Sequence, residues 1–331
     1  MAHLKYFCFL LLLSFSVEAQ TLKEFDYHEK LMGKAFHLTI VHEDSVAAQK
    51  AIKAAVGEIK RIEQMISSWL PNSQTTAINQ NAGIKAVEVD AELFALVQRC
   101  KIYSQSSDAA FDISIQPLID LWNKSLKSKS LPDSFAIKNA AQLGNYQNII
   151  CDTSRLSIFL KEKGMAIGFG AVGKGFAAES AKNILQKMGI ETALINAGGD
   201  IAAWGQQSNG KPWGIAIQHP RAKEKRMAWL EIKDQAIVTS GDYEAFEIID
   251  GKRFSHIIDP RNGYPATDVF SVTVIAYNAE LADALATAIF VLGVDKGLEL
   301  AEKIKGLEVL LVTAENKILN SSGLEIAWEK H

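Results

Sequence analysis

Between residues 192 and 276 the sequence contains six short apolar or alternating segments, each bounded by turn-forming residues. Segments of this length and pattern are typical of β-strands. They cluster here rather than alternating strictly with helices, which argues against a doubly wound parallel sheet. The six predicted strands cover residues 192–196, 213–218, 228–233, 236–240, 253–259 and 272–276.

Helical periodicity is confined to the flanking regions. Apolar residues recur at helical spacing over 47–66, 91–103, 174–188 and 281–292. A further strand is expected at 36–41, a closing hairpin at 309–313 and 317–320, and a polar surface loop at 124–134. The sequence has no internal repeat or low-complexity linker, and 48% of its 331 residues are hydrophobic. We therefore predict one compact α+β domain, with mixed sheets flanked by helices.

The N-terminus has the pattern of a secretory signal. Lys5 precedes an apolar run over 6–15, and Val17 and Ala19 place small residues before a cleavage site. The run is too short to span a membrane comfortably. We expect residues 1–19 to be a signal peptide and 20–331 to be exported, to the periplasm or the outer face of the cytoplasmic membrane.

Charge and cysteine content narrow the possible functions. Lys and Arg number 35 against 38 Asp and Glu, so the chain lacks the basic excess that general nucleic-acid binding requires. An exported compartment permits a disulfide between Cys100 and Cys151, but two cysteines make no framework, and their pairing stays open. Neither cysteine has the spacing of a metal ligand.

A glycine-rich segment, residues 168–175, precedes the helix expected at 174–188. It satisfies G-x-G-x-x-G, yet the acidic residue that a dinucleotide fold needs after the second strand is missing. It also approaches a P-loop, but Gly175 stands where a hydroxyl would bind Mg²⁺. Two interpretations remain, an anion-binding loop at a helix N-terminus and a tight turn that needs glycine for its shape alone.

Asp283 and Thr287 lie four residues apart among small and apolar residues, so they share one face of the helix expected at 281–292. A carboxylate in such surroundings is costly unless it is hydrogen-bonded or bound to metal. A carboxylate with a hydroxyl suits Mg²⁺ better than zinc. The alternative is a capping Asp with an internally bonded Thr.

His256 lies in the segment predicted as a strand over 253–259, on the same face as Ile258 and opposite Ser255, Ile257 and Asp259. An imidazole there could act as a base near neutral pH, although a lone histidine is more often a packing residue. Two earlier segments, 196–200 and 239–243, are also predicted to run from a strand into a turn with small polar side chains.

Together and in order, these segments resemble the FAD:protein FMN transferases, the ApbE-like family. The resemblance covers residues 31–292. The matching segments are Leu31-Met32-Gly33, Ser67-Ser68-Trp69, Ala110-Phe111-Asp112, the loop at 168–175, Asn196-Ala197-Gly198-Gly199-Asp200, Ser240-Gly241-Asp242-Tyr243, the segment at 255–260 and the segment at 283–287.

The resemblance implies an exported, Mg²⁺-dependent enzyme that moves FMN from FAD to a Thr or Ser hydroxyl of a target flavoprotein subunit and releases AMP. It allows peripheral contact with membrane-bound redox complexes. By the same resemblance Asp283, Thr287 and the carbonyl of Ala171 hold Mg²⁺, and His256 is the candidate base with Asp283 also catalytic. The residues implied at the FAD site are Met32, Trp69, Ala110, Phe111, Asp112, Gly168, Lys174 and Ile257.

Three points stay open at this stage. Many relatives carry Asp at the position of Gly168, and glycine cannot supply that side-chain contact. The base could be His256 or a nearby carboxylate such as Asp242. Two other functions fit the same residues: a Mg²⁺-dependent FAD pyrophosphatase, in which water replaces the acceptor hydroxyl, and a non-catalytic flavin carrier.

Overall fold

The computed structural model describes residues 21–219, 221–243 and 245–328. Its helices are α1 Ser45–Ile66, α2 Gln74–Gln80, α3 Ala91–Ser106, α4 Gln116–Lys127, α5 Ser134–Leu143, α6 Gly173–Lys187, α7 Ala279–Leu292 and α8 Val294–Lys303. Its strands are β1 Lys23–Leu31, β2 Lys34–His42, β3 Val87–Glu88, β4 Ile149–Asp152, β5 Ser157–Leu160, β6 Ala193–Ala197, β7 Asp200–Trp204, β8 Trp213–His219, β9 Ala222–Ile232, β10 Gln235–Gly241, β11 Phe246–Ile249, β12 Lys252–Ser255, β13 Val269–Ala276, β14 Glu308–Thr313, β15 Ile318–Asn320 and β16 Ala327–Trp328.

An eight-stranded sheet in the order β1-β2-β6-β7-β10-β13-β14-β15 forms the middle layer. Helices α1, α6 and α7 pack on one face, and a three-stranded sheet in the order β16-β9-β8 covers the other. The central strands are therefore apolar on both faces: in β13, Val274 faces the helices and Ile275 faces the small sheet. The expected α+β architecture is confirmed, with strand ladders that are antiparallel and one isolated parallel bridge between Ile115 and Ala166.

A small separate cluster supports the hairpin of β11 and β12. Ile249 and Ile258 pack there against Leu118 and Trp122 of α4. The Trp122 indole also donates a hydrogen bond to the carbonyl of Gly263, at 2.8 Å. This cluster holds the segment that follows β12 against the body of the domain.

Three predicted boundaries were wrong. The strand expected at 228–233 begins at Ala222, as β9. The loop expected at 124–134 begins with the last turn of α4, which ends at Lys127. The strand expected at 253–259 ends at Ser255, because β11 provides no partner beyond Phe246, so the alternation inferred for His256 to Asp259 does not apply. The helices expected at 47–66, 91–103, 174–188 and 281–292 are present as α1, α3, α6 and α7.

Cys100 and Cys151 form no disulfide; Cys100 is buried and Cys151 half-buried. Among the described residues, every helix is too short or too polar to cross a bilayer. The expected signal peptide, residues 1–19, lies outside the described residues.

Candidate active site

The glycine-rich loop leads directly into α6, which begins at Gly173. Lys174 extends from this first turn, and its Nζ lies 2.5 Å from Oδ2 of Asp200 and 3.7 Å from Oδ1 of Asp283. Burial and the neighbouring Asp283 raise the pKa of Asp200 well above its ordinary value, while Lys174 opposes that rise. One cation and two carboxylates thus meet at the N-terminal end of a helix, where positive potential is concentrated.

Asp283 is buried inside α7, with 2% of its surface exposed. Asn278 is the N-cap of this helix, so the alternative that Asp283 is a cap is wrong. Its Oδ2 accepts a hydrogen bond from the backbone N–H of Gly175 at 2.9 Å, which ties α7 to the start of α6. Its Oδ1 is the oxygen that lies towards Lys174.

A central cleft of about 300 Å³ opens beside this cluster. Six of the residues expected at the site line it: Ala171, Lys174, His256, Ile257, Asp283 and Thr287. These residues lie far apart in the sequence, so it is the fold that brings the glycine-rich loop, α7 and the segment after β12 together. The carboxylate, hydroxyl and carbonyl oxygens in this cleft are hard donors of the kind that Mg²⁺ prefers.

His256 lies at the edge of the central cleft. Its backbone N–H and its Nδ1 both contact the carbonyl of Ala245, at 3.1 and 2.9 Å. A carbonyl only accepts hydrogen bonds, so Nδ1 carries the proton in this contact and Nε2 is the basic nitrogen of the neutral ring.

Asp242, the other candidate base, faces a different environment. Its Oδ2 pairs with Nε of Arg253 at 2.8 Å, and burial raises its pKa. Asp242 does not line the central cleft. The geometry therefore favours His256 over Asp242.

An aromatic pocket of about 150 Å³ adjoins the central cleft at Lys34, Gly170 and Lys174. Met32 and Trp69 line this pocket, and Trp69 is 70% exposed. A large exposed indole beside an apolar wall provides a face on which a flat ring can stack.

Four of the expected residues line neither the central cleft nor the aromatic pocket: Ala110, Phe111, Asp112 and Gly168. Ala110 and Phe111 are buried in the main core, where Phe111 packs edge-on against Tyr103. Asp112 accepts hydrogen bonds from Ser114 and from the N–H of Tyr146, and lines a separate cavity of about 690 Å³.

The position of Gly168 is filled by a neighbour. A Cβ at this residue would lie 1.9 Å from Oε1 of Gln116, so the Gln116 side chain occupies the volume that a side chain at 168 would need. Gln116 also donates to Asp120 at 2.8 Å. Gln116, the first residue of α4, therefore fills the space that the missing side chain at Gly168 leaves.

We expect Asp112→Ala to lower the free energy of unfolding by about 2–4 kcal/mol, because the buried N–H of Ser114 and the half-buried N–H of Tyr146 lose their acceptor. Urea unfolding would measure the change. Asp152→Ala is the matched control, since Asp152 makes the same contacts to Ser154 on the exposed surface and should matter far less. Unchanged stability with a raised KM for the substrate would instead assign Asp112 to substrate binding.

Sequence reasoning missed two residues of the site. The sequence places Asp200 at the end of a turn but does not reveal that the β6–β7 hairpin carries it to Lys174. Lys34 lines both the central cleft and the aromatic pocket. Its position directly after Met32 and Gly33 was the available signal.

Comparison with known proteins shows the family and the fold. Residues 32–311 match the model of the ApbE family. The chain is 34% identical over 300 residues to an FAD:protein FMN transferase of Klebsiella pneumoniae, covering 90% of this chain and 92% of the relative. It is 29% identical to one of Treponema pallidum, covering 91% and 88%.

Solved structures show the same fold. The ApbE protein of Thermotoga maritima superposes with a TM-score of 0.85 at 28% identity, covering 91% of this chain and 97% of that one. The apo flavinyl transferase ApbE of Pseudomonas stutzeri gives 0.81 at 26% identity, covering 91% and 95%.

Proposed function

This chain belongs to the ApbE family and is a transferase, and we propose that it is an exported, Mg²⁺-dependent FAD:protein FMN transferase. Its acceptor is a Thr or Ser hydroxyl of a flavoprotein subunit, and its second product is AMP. One observation carries the proposal: Ala171, Asp283 and Thr287 line the same cleft as Lys174 and His256.

The donor set of the central cleft fits Mg²⁺. Asp283, Thr287 and the carbonyl of Ala171 would hold the ion. No three His, Cys, Asp or Glu side chains gather into a metal cage in the described part of the chain, so substrate oxygens and water must complete the coordination. Bound there, Mg²⁺ would supply positive charge beside the diphosphate of FAD.

Lys174 and the loop amides stabilise charge that develops on the diphosphate. The ammonium is held by Asp200 and lies within 4 Å of Asp283, so it is fixed before the substrate arrives. Preorganised charge of this kind needs no reorganisation during the reaction and is correspondingly effective. Thr and Ser hydroxyls are poor nucleophiles until their proton is removed.

His256 accepts that proton at Nε2, since Nδ1 is committed to Ala245. The hydroxyl oxygen then forms a bond to the phosphorus on the FMN side of the diphosphate. The bond from that phosphorus to the bridging oxygen breaks, and AMP leaves with the electron pair.

Trp69 is placed to stack on a flat ring of FAD in the aromatic pocket. We expect Trp69→Ala to raise the KM for FAD about tenfold, because an aromatic stack is worth about 0.5–1.5 kcal/mol beyond the area it buries. Steady-state release of AMP would measure this. Phe135→Ala is the control, since Phe135 is also 70% exposed but lies outside the pocket. Equal effects of the two substitutions would contradict the assignment.

The transferase proposal is tested by mixing the purified protein with FAD, MgCl₂ and a flavoprotein subunit that carries an acceptor threonine. Intact mass spectrometry should show a gain of one FMN unit together with AMP release, and EDTA should abolish both. Release of FMN and AMP from an unmodified subunit would support the pyrophosphatase instead. Tight FAD binding without turnover would support a carrier.

Export is part of the same proposal and is supported by the signal pattern of residues 1–19. Fractionation of cells that express the full chain should place the protein outside the cytoplasm. Its N-terminal sequence there should begin at Gln20. An intact N-terminus in the cytoplasmic fraction would contradict export.

A further inference from the structure

A second groove adjoins the central cleft, and Lys34 lines this groove, the cleft and the aromatic pocket. This side groove has a volume of about 370 Å³ and shares Lys34 and Thr239 with the central cleft. The aromatic pocket holds the exposed indole, whereas the lining of the side groove includes three short hydroxyl side chains, two side-chain amides and a segment of β8. The two neighbours of the cleft thus suit ligands of different chemistry.

One wall of the side groove is formed by residues 215–218 of β8. This strand is the edge of its three-stranded sheet: β9 pairs with one side, and no strand within the described residues pairs with the other. An edge strand presents backbone N–H and C=O groups that a further strand can bind. A polypeptide in extended conformation is the ligand that matches such a row of groups.

The floor of the side groove consists of short polar side chains on β10 and β13. Thr239 and Thr273 lie side by side with their hydroxyl oxygens 2.9 Å apart, and Ser271 follows on the same face. Ile215 and Ile217 turn their side chains into the core between the two sheets. The groove therefore offers hydroxyl groups close to the unpaired edge of β8.

We propose that an extended segment of the acceptor protein docks in the side groove by pairing with the free edge of β8. This inference rests on the proposed transferase function. The segment would pass Thr239 and present its Thr or Ser hydroxyl to His256, while FAD reaches the same cleft from the aromatic pocket. The two substrates then occupy different cavities beside the reacting groups, so neither has to leave before the other binds.

Photo-crosslinking tests the position of the acceptor. We would place p-benzoylphenylalanine at Gln218, which is exposed at the groove, and irradiate the protein with a purified subunit that carries an acceptor threonine. The crosslink should map to residues flanking that threonine. The control is the same group at Ile318, which is 40% exposed on the edge strand β15 and does not line the side groove. Equal crosslinking from both positions would overturn the proposal.

Kinetics provide the second measurement. Ala216→Arg places a long charged side chain on β8 and should raise the KM for the acceptor about tenfold, corresponding to about 1.4 kcal/mol. The affinity for FAD and the kcat at saturating acceptor should stay unchanged, and Ile318→Arg should alter none of the three. Wild-type transfer with an unchanged KM in Ala216→Arg would overturn the docking site alone. A wild-type protein that never modifies the subunit would overturn the transferase function as well.

Discussion

Asp283→Ala is expected to reduce FMN transfer by a factor on the order of 10³, the scale of losing one preorganised electrostatic group. Asp283 is the only carboxylate among the residues assigned to hold Mg²⁺ within the described cleft, and its Oδ1 faces that cleft beside Lys174. Without the carboxylate, Ala171 and Thr287 provide only neutral oxygens. Mass spectrometry of the acceptor subunit at saturating FAD and MgCl₂ would measure the remaining rate.

Asp283→Asn separates the chemical role of this residue from its structural role. An amide keeps the shape and an oxygen that can accept from Gly175, so the link between α6 and α7 persists. It also removes the negative charge whose repulsion helps to raise the pKa of the neighbouring buried carboxyl of Asp200. We expect Asp283→Asn to be as stable as the wild type in metal-free thermal unfolding, or more stable, yet as inactive as Asp283→Ala. Wild-type activity in either variant with Mg²⁺ present would refute the metal assignment.

Local sequence patterns predicted the parts of this site that depend on spacing along one element. Asp283 and Thr287 share a face because a helix repeats every 3.6 residues, and a glycine-rich loop before α6 is recognisable from composition alone. The same holds for the strands, whose apolar runs reflect burial on both faces of the central sheet.

Contacts between distant elements could not be predicted in the same way. The turn that pairs Ala197 with Asp200 is local, but the contact of Asp200 with Lys174 depends on how the β6–β7 hairpin packs against the start of α6. The strand predicted over 253–259 failed for a related reason. Alternation describes which way side chains point along an extended chain, but not whether a partner strand exists. Beyond Ser255 the ladder gives way to a single backbone bond from His256 to Ala245 and an isolated bridge between Ile258 and Pro265. His256 thereby leaves the hairpin and lies at the edge of the cleft.

Gly175→Ala is expected to lower the free energy of unfolding by about 3 kcal/mol or more. A Cβ at this residue would lie 2.2 Å from the carbonyl oxygen of Ala279 and 2.7 Å from Cβ of Asp283. The first contact is with backbone, so α6 and α7 must move apart rather than one side chain rotate. The Gly175 N–H would then lose its bond to Asp283, and transfer activity should fall together with stability.

Helix propensity makes the opposite prediction for Gly175→Ala, since alanine is favoured over glycine within a helix by about 1 kcal/mol. Gly57→Ala is the control, because a Cβ at Gly57 meets no neighbour and only helix propensity acts there. Gly57 lies inside α1, is exposed, and has no atom within 4 Å of its would-be Cβ, so alanine should stabilise the protein there. Urea unfolding should therefore give shifts of opposite sign for the two variants. A stabilised Gly175→Ala would mean that α6 and α7 do not pack closely, and that the N–H of Gly175 does not hold Asp283 at the cleft.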